Sequence, residues 1–194
     1  IAFPKKLSLY FSILNMLTRQ LINVPVHLGL EHYPNIYCGV AVFLLYPLYV
    51  MDKDINLCEK IGKSVLLLVF LTAFNLNIPN FIWHGFHYPN SLPCRQSFIY
   101  IFFLLTMCYE ALSHIKRMTS RQLGIAVWIS LGLLVLIEQV FAVDETYDFK
   151  AIYLSGAFIL VYAGLMIVYN KTNWKLPVTV FLAFIVCIIA VSYT

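Results

Sequence analysis

Long apolar runs separated by short polar loops constrain this chain more than any other feature. The runs cover residues 36–51, 61–78, 96–114, 122–143, 150–169 and 176–193, and stretches such as Asp52-Lys53-Asp54, Lys116-Arg117 and Asp144-Glu145 separate them. A hydrocarbon layer about 30 Å thick asks a helix for about 20 mostly apolar residues. Soluble domains carry about 25% charged residues. At 61% hydrophobic and 11% charged, these 194 residues cannot cover a core with polar surface. The expected fold is all-α: a polytopic transmembrane helical bundle of about six spans over 36–194, in a cell membrane.

The basic residues fix the expected orientation. With the N-terminal segment outside, the inner flanks hold Lys53, Lys60, Lys63, Lys116, Arg117, Arg121, Lys171 and Lys175, and the outer flanks beyond residue 35 hold only Arg95 and Lys150. Eight against two is a positive-inside bias. The net charge of +4 is therefore topological information, spread through loops rather than gathered into a nucleic-acid-binding patch. Five scattered cysteines form neither a metal-ligand spacing nor a disulfide framework and read as small buried hydrophobes. No signal peptide is evident, and the abrupt ends suggest a segment of a longer membrane protein.

Residues 1–35 do not span. Between residues 7 and 24, Ser8, Ser12, Asn15, Arg19 and Asn23 recur at three-to-four spacing, which predicts an amphipathic helix lying at the interface or against its neighbours. A loop carrying His27, Glu31 and His32 follows. Pro47 should kink the first span or end it early. Asn75, Asn77 and Asn80 close the second run, and such amides must be packed in protein or reach water.

The outer loop 79–95 collects most of the residues a site could use. His84 and His87 are three apart but lack further ligands at metal spacing, so no metal is expected. Trp83, Phe81, Phe86 and Tyr88 sit where an interfacial aromatic belt would. Arg95 stands where positive charge is otherwise avoided. Three readings are open for it: a phosphate or other anion, an ion pair with Glu138, or lipid headgroups. Glu138 lies near the outer level, and Glu110 is expected at the inner boundary near Lys116 or Arg117. No named catalytic motif is present.

The stretch Asn80-Phe81-Ile82-Trp83-His84-Gly85-Phe86-His87-Tyr88-Pro89-Asn90-Ser91-Leu92-Pro93-Cys94-Arg95-Gln96-Ser97-Phe98 resembles the signature loop of the bacterial YfhO family of membrane proteins. Pro34-Asn35-Ile36-Tyr37-Cys38-Gly39 is similar to a second element of that family, at the head of a helix. Ser91 stands where the family pattern has Gly, which bears on the turn if a positive φ is needed. Cys94 and Gln96 replace aromatic or polar residues.

The resemblance implies a protein of the glycosyltransferase C superfamily. Such a protein would move a sugar from a polyprenyl-phosphate carrier to an envelope polymer such as lipoteichoic acid, on the outer face. Its partners would be that donor, membrane lipids, the acceptor polymer and the rest of the same polypeptide, with no nucleic acid and no cofactor. Arg95, His84, His87, Asn80, Asn90, Trp83 and Glu138 are the candidate substrate-binding residues. The catalytic residues are not assigned, because the resemblance places the general base in an early outer loop upstream of this chain. A transporter or flippase of lipid-linked intermediates, and a non-catalytic accessory protein of envelope assembly, are the alternatives.

Overall fold

The computed structural model describes residues 3–25, 33–88, 94–141 and 148–171. His27, Glu31, His32, Asn90, Ser91, most of the acidic loop and the sixth apolar run lie outside the described residues.

The described chain is helical, with α1 (Ile13–Thr18), α2 (Val42–Met51), α3 (Leu57–Asn75), α4 (Asn77–Trp83), α5 (Ser97–Ser113), a 3₁₀ turn (Ile115–Arg117), α6 (Ser120–Phe141) and α7 (Lys150–Lys171). Local chemistry sets the helix starts. Asn56 caps α3, its side chain accepting from Cys58 N at 3.0 Å. Thr119 and Gln122 form a capping box at α6: Thr119 Oγ1 accepts from Gln122 N at 3.3 Å, and Gln122 Oε1 accepts from Thr119 N at 2.8 Å.

Helix α2 is central and packs on α5 and α6; α7 packs on α6, α3 on α5, and α1 on α6. Helices α6 and α7 are long and apolar enough to cross a membrane. At 22 residues each, they rise about 33 Å. Their outward faces are apolar, as is that of α5: Phe98, Phe102, Trp128, Val135, Tyr153 and Leu160 are all more than half exposed. Patches of this kind belong in lipid. The third, fourth and fifth expected runs coincide with α5, α6 and α7 to within two residues.

Pro47 neither ends nor removes α2, which runs through it to Met51. Proline leaves the carbonyl four residues earlier without its helical donor. That carbonyl, Phe43 O, lies 2.8 Å from the hydroxyl of the buried Ser130 on α6, whose single proton it shares with Ala126 O at 2.7 Å. Ser130→Ala is therefore expected to cost about 1 kcal/mol, read as unfolding in mixed micelles. Wild-type stability in this variant would show that Phe43 O does not depend on Ser130.

The N-terminal amphipathic helix is corrected. Helix is confined to Ile13–Thr18, and the segment before it is not helical, with an isolated antiparallel bridge between Leu9 and Leu76. The end of α1 and the residues after it are buried rather than interfacial: Thr18, Arg19, Gln20, Leu21 and Ile22. Ile22 N donates to the buried Ser155 hydroxyl of α7 at 3.2 Å, so this segment is part of the bundle.

Candidate functional site

The organising point is the break between α3 and α4. Pro79 has no N–H for Asn75 O, so α3 stops and Leu76 turns extended. Asn75 O instead accepts from Tyr10 N at 2.9 Å. Asn75 Oδ1 accepts from Phe11 N at 3.0 Å. Asn77 Oδ1 accepts from Ser8 N at 2.9 Å, and its Nδ2 donates to Lys6 O at 2.8 Å. The asparagines are thus packed in protein, where they hold the N-terminal segment. Asn80 is fully buried; its Nδ2 donates to Ala73 O at 2.9 Å, while its Oδ1 makes no hydrogen bond.

Residues 79–83, expected in the loop, lie in α4. The Trp83-His84-Gly85-Phe86 run is the helix terminator. Gly85 adopts φ +68°, Phe86 N donates to Phe81 O at 2.9 Å, and Gly85 N donates to Ile82 O at 3.1 Å. The Phe81 and Phe86 rings meet edge-on at 6.1 Å. This is a Schellman cap with its hydrophobic contact, and glycine is the residue that enters its left-handed position without a Cβ penalty.

His84 caps α4 with Nδ1 2.8 Å from Asn80 O. A carbonyl only accepts, so Nδ1 is the donor there, and Nε2 is buried and makes no hydrogen bond. His87 is exposed, with Nδ1 3.5 Å from Gly85 O. Trp83 is 43% exposed, packs edge-on against Phe70 at 5.2 Å, and walls a surface hollow with Val69, Thr72, Pro79 and Ile82.

The chain re-enters the bundle at Cys94, whose Sγ lies 4.0 Å from Phe74 O. Burial pushes this thiol up to about 12. Cys94 has φ +61°, so the left-handed backbone described in this return falls there. Arg95 follows, exposed, in the turn before α5. Next to it, Gln96 is buried with neither amide atom hydrogen-bonded. Its burial was not legible, because at a helix entry glutamine reads as surface.

Arg95 and the Asn80–His84 pair thus share one end of the bundle. Glu138 is half-buried on α6 and makes no ion pair among the described residues, so the pairing of Arg95 with Glu138 is not formed there.

The opposite end holds a polar cluster that the spacing of charges did not reveal. Asp52, its side chain 5% exposed, accepts from His114 Nδ1 at 2.7 Å. Asp54 pairs with Arg117 at 2.8 Å, and this hydrogen bond holds the Asp54 carboxyl below its usual value. Gln122 Nε2 donates to Met51 O at 2.8 Å. Glu110 pairs with Lys63 of α3, which also reaches Glu59 at 2.7 Å, rather than with Lys116 or Arg117. Ligand atoms of Asp52, Asp54 and His114 lie within 4.8 Å of one another, but His114 and Arg117 already occupy the two carboxylates. The cluster ties the α2–α3 connection to the α5–α6 connection.

These features define a helical membrane protein whose polar side chains concentrate at the two ends of its bundle. The sequence profile of the bacterial membrane protein YfhO family matches residues 4–194, and the chain belongs to that family. No curated protein matches the chain, and no solved structure does.

Proposed function

We propose that this chain is part of a membrane glycosyltransferase. It would move a sugar from a polyprenyl-phosphate carrier to an envelope polymer such as lipoteichoic acid, within a six-span topology that turns the 79–95 connection outward. Membership of the family supports a role in the bacterial membrane. The observation that carries the reading is the head of α5, where Arg95 stands exposed in the turn before the helix and Gln96 supplies no side-chain cap. A helix start has partial positive charge; here Ser97 N already donates to Cys94 O and Ile99 N to Gln96 O, both at 3.0 Å, so the attraction rests on the helix dipole. With an arginine fork beside it, it suits the leaving phosphate of a lipid donor. Trp83 offers an aromatic face to the sugar, and the buried Asn80 Oδ1 and His84 Nε2, neither hydrogen-bonded, lie at the same end of the bundle.

Arg95→Ala in the whole protein is expected to reduce envelope-polymer glycosylation by about 100-fold, with Arg95→Lys retaining part of it because the charge persists without the fork. Undiminished glycosylation in Arg95→Ala cells would overturn the reading. Movement of lipid-linked sugar across vesicles without transfer to an acceptor would favour the transporter alternative.

A further inference from the structure

Residues 3–13 are patterned the opposite way from a strap that faces water. The edge toward the α3–α4 break is polar: Asn77 N donates to Ser8 O at 3.1 Å, Ser8 N to Asn77 Oδ1 at 2.9 Å and Tyr10 N to Asn75 O at 2.9 Å. Phe3, Leu7, Leu9 and Ile13 are each more than half exposed, and Lys5 and Lys6 stand exposed between Phe3 and Leu7. An extended segment laid on a core and facing water puts its apolar residues inward and its polar ones outward.

The level of the strap in the bundle accounts for the inversion. Helix α3 has 19 residues and so rises about 28 Å, close to the hydrocarbon thickness of about 30 Å. It starts at the polar turn Asp52–Asn56, so the break at Leu76, where Leu9 is bridged, lies one membrane thickness away. Trp83, Phe86 and Tyr88 are exposed at the same end, as residues at a membrane–water boundary are. The Phe3 ring meets Phe81 edge-on at 5.6 Å, which joins the apolar side of the strap to that aromatic belt. Charge points the same way: neither residues 3–25 nor residues 76–98 contain an acidic side chain.

We propose that residues 3–13 are an in-plane membrane anchor, with Phe3, Leu7, Leu9 and Ile13 in the boundary between headgroups and acyl chains and Lys5 and Lys6 on the phosphates of anionic lipids. Segments with one apolar side and flanking lysines settle at that boundary. This one goes no deeper, because backbone outside a helix needs water or protein partners. A second copy of the chain suits the face poorly, since it would set lysines against lysines. The anchor does not depend on the transferase reading.

The test places a photoreactive benzoylphenylalanine at Leu9 in the whole protein, reconstituted in vesicles of equal parts phosphatidylglycerol and phosphatidylcholine. Phe102, exposed on α5, is the lipid-facing reference, and Lys53, exposed in the α2–α3 connection, is the polar one. Lipid adducts at Leu9, counted by mass spectrometry, should approach those at Phe102 and exceed those at Lys53 by about tenfold. Phosphatidylglycerol should outnumber phosphatidylcholine among the Leu9 adducts by about fivefold, and the double change Lys5→Gln, Lys6→Gln should return that ratio to the vesicle composition. Adducts at Leu9 as rare as at Lys53 would mean that the strap faces water, and crosslinks to a second copy would mean that protein covers it; either result overturns the proposal. A phosphatidylglycerol preference unchanged in the double variant would overturn the role given to the lysines.

Discussion

Arg19→Ala is expected to lower the unfolding free energy by about 3 kcal/mol and to loosen the segment from Tyr33 to Gly39. Arg19 is 4% exposed. Its Nε donates to Pro34 O at 3.2 Å, its Nη2 donates to Asn35 Oδ1 at 2.8 Å, and its guanidinium lies over the Tyr33 ring with 6.0 Å to the centroid. One planar group therefore holds the Pro34-Asn35 element that precedes α2 and lets Gly39 turn at φ +98° into the helix. Truncation leaves a buried carbonyl and a side-chain amide without these donors, each costing about 1–3 kcal/mol, and opens a void that the neighbours fill only in part. Arg19→Lys should recover less than half of the loss, because a single ammonium cannot reproduce two divergent donors on a fixed plane. Denaturant unfolding in micelles gives the free energy, and hydrogen exchange at Ile36 and Tyr37 gives the local opening. Wild-type exchange there in Arg19→Ala would refute the clamp.

Arg19 also shows where sequence reasoning stops. Its spacing with Ser12, Asn15 and Asn23 predicts the polar stripe of a helix. Nothing local in the sequence says that its hydrogen-bond partners are fifteen and sixteen residues on, across a stretch containing Pro25 and Gly29. The two long apolar helices were legible because lipid imposes one simple demand, a long uncharged run, and α6 and α7 satisfy it in sequence alone. The asparagines before Pro79 were legible as a class, since amides on an apolar run must find partners, but the identity of those partners was not. The Asp52–His114 pair was hidden by a separation of 62 residues. Each half looked like an ordinary membrane-exit loop, and only the packing of α2 on α5 makes them neighbours. In the outer motif, the Gly85-Phe86 step is now explained by helix termination, a structural need.

Asn77→Leu is expected to free the N-terminal segment while leaving the bundle folded. The Asn77 side chain is the hinge pin between two distant pieces of chain: it accepts from Ser8 N and donates to Lys6 O. Leucine keeps the volume and loses both bonds, which costs about 2 kcal/mol. The loss falls on a local opening rather than on global unfolding, because the helices retain their own contacts. Trypsin reads that opening directly, since the carbonyl held by Asn77 belongs to the Lys6–Leu7 peptide bond it would cut. Where closing is fast relative to cleavage, the rate follows the open population, and about 2 kcal/mol raises it by about 30-fold. Asn80→Leu serves as the control: Asn80 is buried more completely, but its amide donates within α3–α4, to Ala73 O. It should destabilise the kink without accelerating the Lys6 cut. If both variants accelerate cleavage equally, the segment is held by burial of Phe11 and by the Phe3–Phe81 ring contact at 5.6 Å rather than by the Asn77 amide. The break at Pro79 would then position the 84–95 connection without help from the N-terminal segment.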